Sequence, residues 1–441
     1  MTARRLALIL LCRWEEGARY ANLSLPASAE TLPEQEHALL TALFYGCVER
    51  SLTLDYCIGR ITRNPASALS LHTRNLLRLG LFQLLFMQGI PAFAAVSETV
   101  SLGMHTGERA LCNAVLRTAL RTPDLLRPPP REKNPARYLS VRESFPLWIV
   151  RHFLNCYGEE ECEQILSAFN RPPALTLRVN TQKTDREALL RKWQENGVEA
   201  TYTTHAPTGI HLAASVNPTR LPGFAEGEFF VQDEASQLAV SALGIAGAAD
   251  ALVVDCCACP GGKSFGAAIE MRGCGSLYAM DLHASKLPLI EEGAARLGLR
   301  NLHTSQRDGR TPDPALCGRA THVLCDVPCS GLGVLGKKPD LRYRPAEGLA
   351  ALPKLQGEIL SAAACYPRAG GVLLYSTCTL NTAENESVCS EFLKTHPEYH
   401  PEDFVAGDLV SGNGMLTLLP HRHGCDGFFM ARFRREGRGG I

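Results

Sequence analysis

Apolar residues recur at helical spacing through the first quarter of the chain and in short unbroken runs through its second half. In the first stretch Leu39-Leu40, Leu43-Phe44 and Cys47-Val48 form one stripe, and Leu76-Leu77, Leu81 and Leu84-Leu85 form another, with few β-branched residues between. Gly89-Ile90-Pro91 interrupts the pattern, and Val96, Val100 and Met104, then Leu111, Val115 and Leu116, restart it. This spacing predicts an all-helical bundle with one core over residues 1–125. Residues 126–143 read as a basic, proline-rich linker, and Pro128-Pro129-Pro130 predict an extended, semi-rigid run between 123 and 135. Residues 144–232 form a mixed α+β segment. Ser144-Phe145-Pro146 opens a helix through Trp148, Ile149, Phe153 and Leu154, strands are predicted at 175–180 and Phe229–Val231, and a helix at 185–196.

Over residues 233–441 the pattern alternates between short apolar strands and amphipathic helices. Strands are predicted at Leu252–Asp255, Ser276–Asp281, 302–305, 322–326, 372–376 and 428–433, with helices at 263–271, 284–297, 352–364 and 383–394. Asn381 and Thr382 stand where the last helix needs an N-cap. Such alternation predicts an α/β, Rossmann-like domain with a mostly parallel, doubly wound sheet.

Composition narrows the class. With 441 residues, 45% hydrophobic and 20% charged, the chain is a soluble globular protein of two or three domains, and no apolar run reaches membrane-span length. Arg4-Arg5 followed by apolar residues resembles the start of an export leader, but Cys12-Arg13-Trp14-Glu15-Glu16 interrupts it with charge and offers no cleavage site. An amphipathic helix is expected there instead. Without a leader, 17 cysteines imply a reducing cytoplasm and free thiols rather than bridges. The formal charge is zero, yet Arg117, Arg121, Arg127, Arg131, Lys133, Arg137 and Arg142 face only Asp124 and Glu132 in the same stretch. A strip of that kind is a solvated linker or the footprint of a nucleic acid.

The chemistry concentrates at strand exits, where open α/β sheets bind ligands. Val323-Leu324-Cys325-Asp326-Val327-Pro328-Cys329-Ser330-Gly331 is a buried strand that delivers an acid and a thiol to a loop. Gly370-Gly371-Val372-Leu373-Leu374-Tyr375-Ser376-Thr377-Cys378-Thr379 repeats the design with a second thiol. A cysteine near a strand is often only packing, but these two stand beyond their apolar runs. The loop Cys256-Cys257-Ala258-Cys259-Pro260-Gly261-Gly262-Lys263 links the first strand to a helix whose free N–H groups suit a ligand. It is not a phosphate loop, because Cys257 stands where that motif needs glycine. Its Cys-x-x-Cys has no second pair at zinc spacing, so no metal is expected. Asp281, Asp308 and Asp326 follow successive strands and would line one crevice for an adenosyl ligand, with Asp281 placed for a ribose diol. The Gly-x-Gly-x-x-Gly of nicotinamide-dependent oxidoreductases is missing from the first turn.

Together, Asp255-Cys256-Cys257-Ala258-Cys259-Pro260-Gly261-Gly262-Lys263, Asp326-Val327-Pro328-Cys329-Ser330-Gly331, Ser376-Thr377-Cys378-Thr379 and Asp426-Gly427-Phe428-Phe429-Met430-Ala431 resemble the signature motifs of RNA cytosine-5 methyltransferases. Leu177-Arg178-Val179-Asn180-Thr181 and Val231-Gln232-Asp233-Glu234-Ala235-Ser236 resemble the segment that leads into their catalytic domain. Leu79-Gly80-Leu81-Phe82-Gln83-Leu84-Leu85 and Ile90-Pro91-Ala92 look like an RNA-binding domain of the NusB type. That combination is similar to the bacterial 16S rRNA (cytosine-5)-methyltransferase B family over nearly the whole chain. Cys259 and Val327 depart from it, each standing where alanine is usual.

The resemblance implies S-adenosyl-L-methionine as cofactor, held by Cys257, Ala258, Cys259, Pro260, Gly261, Gly262, Lys263, Asp281, Asp308 and Asp326. It also implies Cys378 as nucleophile, Cys329 as the group for product release, Asp326 as the acid at the base, and an electrostatic role for Lys263. The substrate would be 16S rRNA and the protein a cytoplasmic monomer without metal, membrane or obligate protein partner. Competing readings are a cytosine-5 methyltransferase of tRNA or large-subunit rRNA, and a non-catalytic NusB-like RNA-binding factor.

Overall fold

A computed structural model describes residues 2–17, 32–172, 174–212, 216–245 and 250–437. The chain divides into two compact units, one of residues 1–171 with 335–344 and one of residues 172–334 with 345–441.

The first unit is helical. Its helices include Ala3–Glu16, Glu34–Glu49, Ser51–Thr62, Leu71–Phe86, Ala92–Ser101 and Thr106–Arg121. The first buries Leu6, Leu10, Leu11 and Trp14 with the stripes read from the sequence, including Leu40, Leu43, Phe44, Leu76 and Leu77. The polar residues that enter this core arrive paired. Arg78 makes two 2.7 Å bonds to Asp55 and one of 3.0 Å to Glu15. The segment 335–344 belongs to this unit: the Arg342 guanidinium lies 3.9 Å from the Phe145 ring centroid and donates to Asn170 Oδ1 at 3.0 Å.

One expectation fails in this unit and another is qualified. The run from 123 to 135 is not extended throughout, because short 3-10 turns form at Pro123–Leu126 and Arg131–Lys133, and Asn134 then caps a helix at Pro135–Glu143 by accepting from the Arg137 N–H. The basic strip is also less basic than its composition. Arg131 pairs with Glu159 and Glu163, Arg142 with Glu163, and Arg127 with Asp124. The acids at 159 and 163 come from a helix more than 20 residues away in the chain, Leu147–Phe169, so a local charge count misses them.

The second unit holds two larger sheets and a short ribbon. A small antiparallel sheet, in the order β2-β3-β1-β4, is made of β1 (Leu175–Val179), β2 (Ala200–Tyr202), β3 (Gly209–Leu212) and β4 (Phe229–Val231). The helix Arg186–Glu195, capped by Asp185, packs Trp193 edge-on to Phe229. Buried Arg178 of β1 donates to Glu270 at 2.7 Å, which fixes this sheet to the helix Gly262–Glu270.

The main sheet contains β5 (Leu252–Asp255), β6 (Ser276–Asp281), β7 (Leu302–Gln306), β8 (Ala320–Asp326), β9 (Pro367–Thr377) and β10 (Tyr399–Pro401). The ribbon β11 (Val405–Ala406) and β12 (Leu409–Val410) follows, then β13 (Met415–Leu418) and β14 (Phe428–Arg435). The order is β10-β14-β9-β8-β5-β6-β7, with β13 beside β14. Strands β5 to β9 pair in parallel, whereas β14 runs antiparallel to β9. Residues alternate between two covered faces: Val253, Leu324 and Leu374 belong to one core, and Val254, Val323, Cys325, Leu373 and Tyr375 to the other. Burial on both faces is why these strands read as unbroken apolar runs. The winding direction changes at β5, between β6 and β8, which opens the crevice at the strand ends.

Two further readings are corrected. The helix expected from residue 383 begins at Glu386, because Asn381 accepts from the Ala383 N–H and donates to Glu384 in a turn of its own. Cys317 and Cys365 are bonded to each other, while the other 15 cysteines are free. The parallel register of β8 on β9 and a Gly318 N–H to Cys365 carbonyl bond bring their Cα atoms to 5.0 Å. Among the described residues no helix is long and apolar enough to cross a membrane.

Candidate active site

The loop after β5 is held by its own backbone. The Ala258 N–H donates to the Met280 carbonyl at 2.8 Å and the Gly261 N–H to the Ala258 carbonyl at 2.7 Å. Gly261 has a φ of 103°, and a Cβ there would sit 2.5 Å from the Phe265 ring, so conformation and space both demand glycine. Asp281, at the end of β6, accepts the Cys259 N–H at 3.3 Å on one oxygen and the His283 N–H at 3.0 Å on the other. The Cys257 thiol is half-buried, and the loss of water around it pushes its pKa well up. Asp308, two residues past β7 and half-buried, is clasped by Arg310, with contacts of 3.0 and 2.6 Å that hold its carboxyl down to about 2.

Beneath this loop lies Asp255, the acid at the end of β5. Burial raises its carboxyl to about 7, and Ser264 donates to it at 2.6 Å.

The other half of the rim joins the remaining expected residues into one cluster. Lys263 Nζ lies 2.6 Å from Asp326 Oδ2, and Ser376 Oγ donates to Asp326 Oδ1 at 2.7 Å. Burial works against the charge on Lys263, but Asp326 outweighs it and the ammonium is held more firmly than usual. The Lys263 ammonium also stands 5.1 Å from the centroid of the Phe428 ring. Cys329 and Cys378 face each other with their sulfurs 3.3 Å apart. The pairing of Asp326 with Ser376 across β8 and β9 fixes that approach, since Cys329 follows Asp326 by three residues and Cys378 follows Ser376 by two. Below them Ser330 Oγ and Thr379 Oγ1 are 2.7 Å apart, and the Gly333 N–H donates to the Cys378 carbonyl at 3.0 Å. Gly333 must be glycine, because the Gly427 backbone passes directly over its Cα.

A groove of about 900 Å³ between the helices Leu352–Ala363 and Glu386–Thr395 contains none of the residues expected in the site. The expected residues gather at the strand ends instead. The residues missed by sequence reading are Glu384 and Gln356, both buried polar side chains serving this rim. Glu384 accepts the Ser330 N–H at 2.9 Å, and Gln356 reaches the Pro328 carbonyl at 3.0 Å.

Comparison with known proteins agrees with this architecture. A relative from Bacillus subtilis, named a probable ribosomal RNA small subunit methyltransferase B, is 34% identical over 99% of both chains. The chain belongs to the small-subunit rRNA methyltransferase B family. A Synechocystis member, also named as probable, is 35% identical over 99% of this chain and all of its own, and one from Pseudomonas putida is 33% identical over 98% and 96%. The model of the 16S rRNA methyltransferase RsmB/F family matches residues 243–434, that of the NusB family 1–121, and that of the RsmF/B-like ferredoxin-like domain 145–219. Among solved structures, PH0851 superposes with a TM-score of 0.78 at 25% identity over 99% of both chains. NSun6 from Pyrococcus horikoshii, solved with SFG, shares the fold at a TM-score of 0.59 over 67% of this chain and 99% of its own. Membership of this family establishes the NusB domain and the Rossmann-like methyltransferase domain.

Proposed function

We propose that this family member transfers a methyl group from S-adenosylmethionine to C5 of a cytosine in 16S rRNA through a bond between Cys378 and C6 of the base. The observation that carries the reading is the pair of thiols 3.3 Å apart beside a Lys263–Asp326 ion pair. Cytosine C5 is a poor nucleophile, and a methyltransferase acting elsewhere on RNA has no use for two adjoining thiols.

The residues present fit the cofactor. Each oxygen of Asp281 accepts one backbone N–H and keeps a lone pair for a ribose hydroxyl. Residues 257–263, with the first turn of the helix Gly262–Glu270, offer a backbone-lined approach, and Asp308 and Asp326 stand at the flanking strand ends. Bound there, the cofactor supplies an electrophilic methyl group.

The protein prepares C5 to accept it. The Cys378 thiolate forms the S–C6 bond and pushes the C5–C6 electron pair to C5. A proton taken up from solvent as the base enters is shared between Asp326 and N3, which favours the addition. After methylation the C5 proton passes to solvent water, its electron pair restores the double bond, and the S–C6 pair returns to the Cys378 sulfur. Cys329 assists that release. The target base is unstacked to reach the thiols. The NusB domain and the cations of the strip without an acidic partner among the described residues, Arg117, Arg121, Lys133 and Arg137, supply RNA affinity. The protein acts as a cytoplasmic monomer and needs no metal.

Incubation with 16S rRNA and methyl-labelled S-adenosylmethionine, followed by nucleoside analysis, tests this reading. Label in 5-methylcytidine is expected. Label in another nucleoside, or transfer only to tRNA or large-subunit rRNA, would contradict it.

A further inference from the structure

Glu384 is fully buried, and among the described residues the three groups that donate to its carboxylate are neutral. Oε2 accepts the Ser330 N–H at 2.9 Å and Gln356 Nε2 at 2.8 Å, and Oε1 accepts Asn381 Nδ2 at 2.9 Å. Both oxygens are engaged only as acceptors, the arrangement of an ionised carboxylate. A buried acid without a cation is costly to keep for packing alone. Its position is specific. Ser330 follows Cys329 directly, and Gln356 also holds the carbonyl of Pro328, so both neighbours of Cys329 are tied to this one group. The opposite charge acts on the other thiol: the Lys263 ammonium, bound to Asp326, acts on Cys378. Of two sulfurs 3.3 Å apart, one therefore feels an anion, Glu384, and the other a cation, Lys263.

We propose that Glu384 is a positioning residue that keeps Cys329 as the proton-bearing thiol, so that it donates a hydrogen bond to the Cys378 sulfur as that sulfur leaves C6. This rests on the covalent mechanism above. In the release step the S–C6 bond breaks with its electron pair staying on Cys378, and a donor 3.3 Å away stabilises the thiolate that forms. An ionised Cys329 would have no hydrogen to donate and would repel the departing sulfur. The surroundings agree. The hydrogen bond to Cys378 pushes the Cys329 thiol well up, burial and the charges of Cys378 and Glu384 add to it, and only the Gly331 backbone works the other way.

The test compares the full-length protein with Glu384→Gln, which keeps the shape and removes the charge. Each is alkylated with iodoacetamide across a pH series, without RNA or cofactor, and the Cys329 and Cys378 peptides are quantified by mass spectrometry. In the unsubstituted protein Cys378 should react at lower pH than Cys329. In Glu384→Gln the Cys329 profile should move down by about one pH unit, roughly tenfold in rate at fixed pH, while that of Cys378 stays. Release of methylated RNA from its adduct should slow in the same variant. An unmoved Cys329 profile would overturn the proposal. So would Cys329 reacting first in the unsubstituted protein, which decides the matter even if the variant does not fold. A shifted profile with no RNA adduct in any variant would instead remove the covalent mechanism, and with it the release role, while the effect of the charge on Cys329 would stand.

Discussion

At the ends of β5 and β6 the working contacts are made by backbone: the N–H groups of Cys259 and His283 bind Asp281, and a glycine turn brings the chain close to the crevice. At the ends of β8 and β9 they are made by side chains: Lys263 to Asp326, Ser376 to Asp326, Ser330 to Thr379, and sulfur to sulfur. The difference suits the tasks proposed for the two halves. A cofactor crevice needs fixed donors and shape, which backbone provides at no cost in side-chain freedom. A reacting centre needs groups whose proton occupancy changes, and only side chains offer those. Substitutions in the two halves should therefore fail differently, through binding in the first and through rate in the second.

The largest effect is expected at Cys378. A hydroxyl is far less ionised than a thiol near neutral pH, so Cys378→Ser should reduce methyl transfer to the assay background with cofactor affinity unchanged. Weaker cofactor binding in that variant, measured by calorimetry, would break the division between the halves. Asp326→Asn should come next. Loss of the acid at N3 and of the partner of Lys263 should lower kcat by roughly 10²–10⁴-fold, and a change confined to KM would assign Asp326 to binding alone.

Asp255 gives an effect on stability. Its carboxyl is raised by burial to about 7 in the fold, against an ordinary value of 3.8. The folded protein thus keeps a proton that the unfolded chain loses between these values, and the stability this contributes is present in acid and lost as pH rises through about 7. The loss is on the order of 2–4 kcal/mol. Urea unfolding of the unsubstituted protein at pH values on either side of that window should show the decline, and Asp255→Asn should flatten it. An identical slope in both proteins would place the titration elsewhere. The smallest effect is expected at Asp281, where Asp281→Ala should weaken cofactor binding by roughly 1–3 kcal/mol with little change in kcat for bound substrates. Unchanged affinity would remove Asp281 from the crevice.

The legible part of this molecule was whatever depends on residues near one another in the chain. Strands β5 and β6 end where the sequence places them, because apolar runs bounded by glycine and acid encode a strand locally. What sequence reading missed depends on contacts between distant segments. Glu384 stands in a polar run, Asn381-Thr382-Ala383-Glu384-Asn385-Glu386, that reads as a solvated helix start. Its burial comes from Ser330, 54 residues away, and Gln356, 28 away. Likewise Arg131 looks free in a count of neighbours and is paired only once the helix carrying Glu159 and Glu163 folds back on it. The strands β10 to β13 were too short, at two to four residues, to leave a periodic signal.

The covalent mechanism is the central claim, and the fate of the RNA in a Cys329→Ala variant tests it most directly. Purified variant, 16S rRNA and S-adenosylmethionine are incubated and resolved on a denaturing gel, with Cys378→Ser alongside. With Cys378 as nucleophile and Cys329 serving release, Cys329→Ala should give a protein–RNA band of retarded mobility that carries the transferred methyl, and Cys378→Ser should give none. A band with Cys378→Ser and none with Cys329→Ala would reverse the roles, and full turnover by both variants would contradict the mechanism.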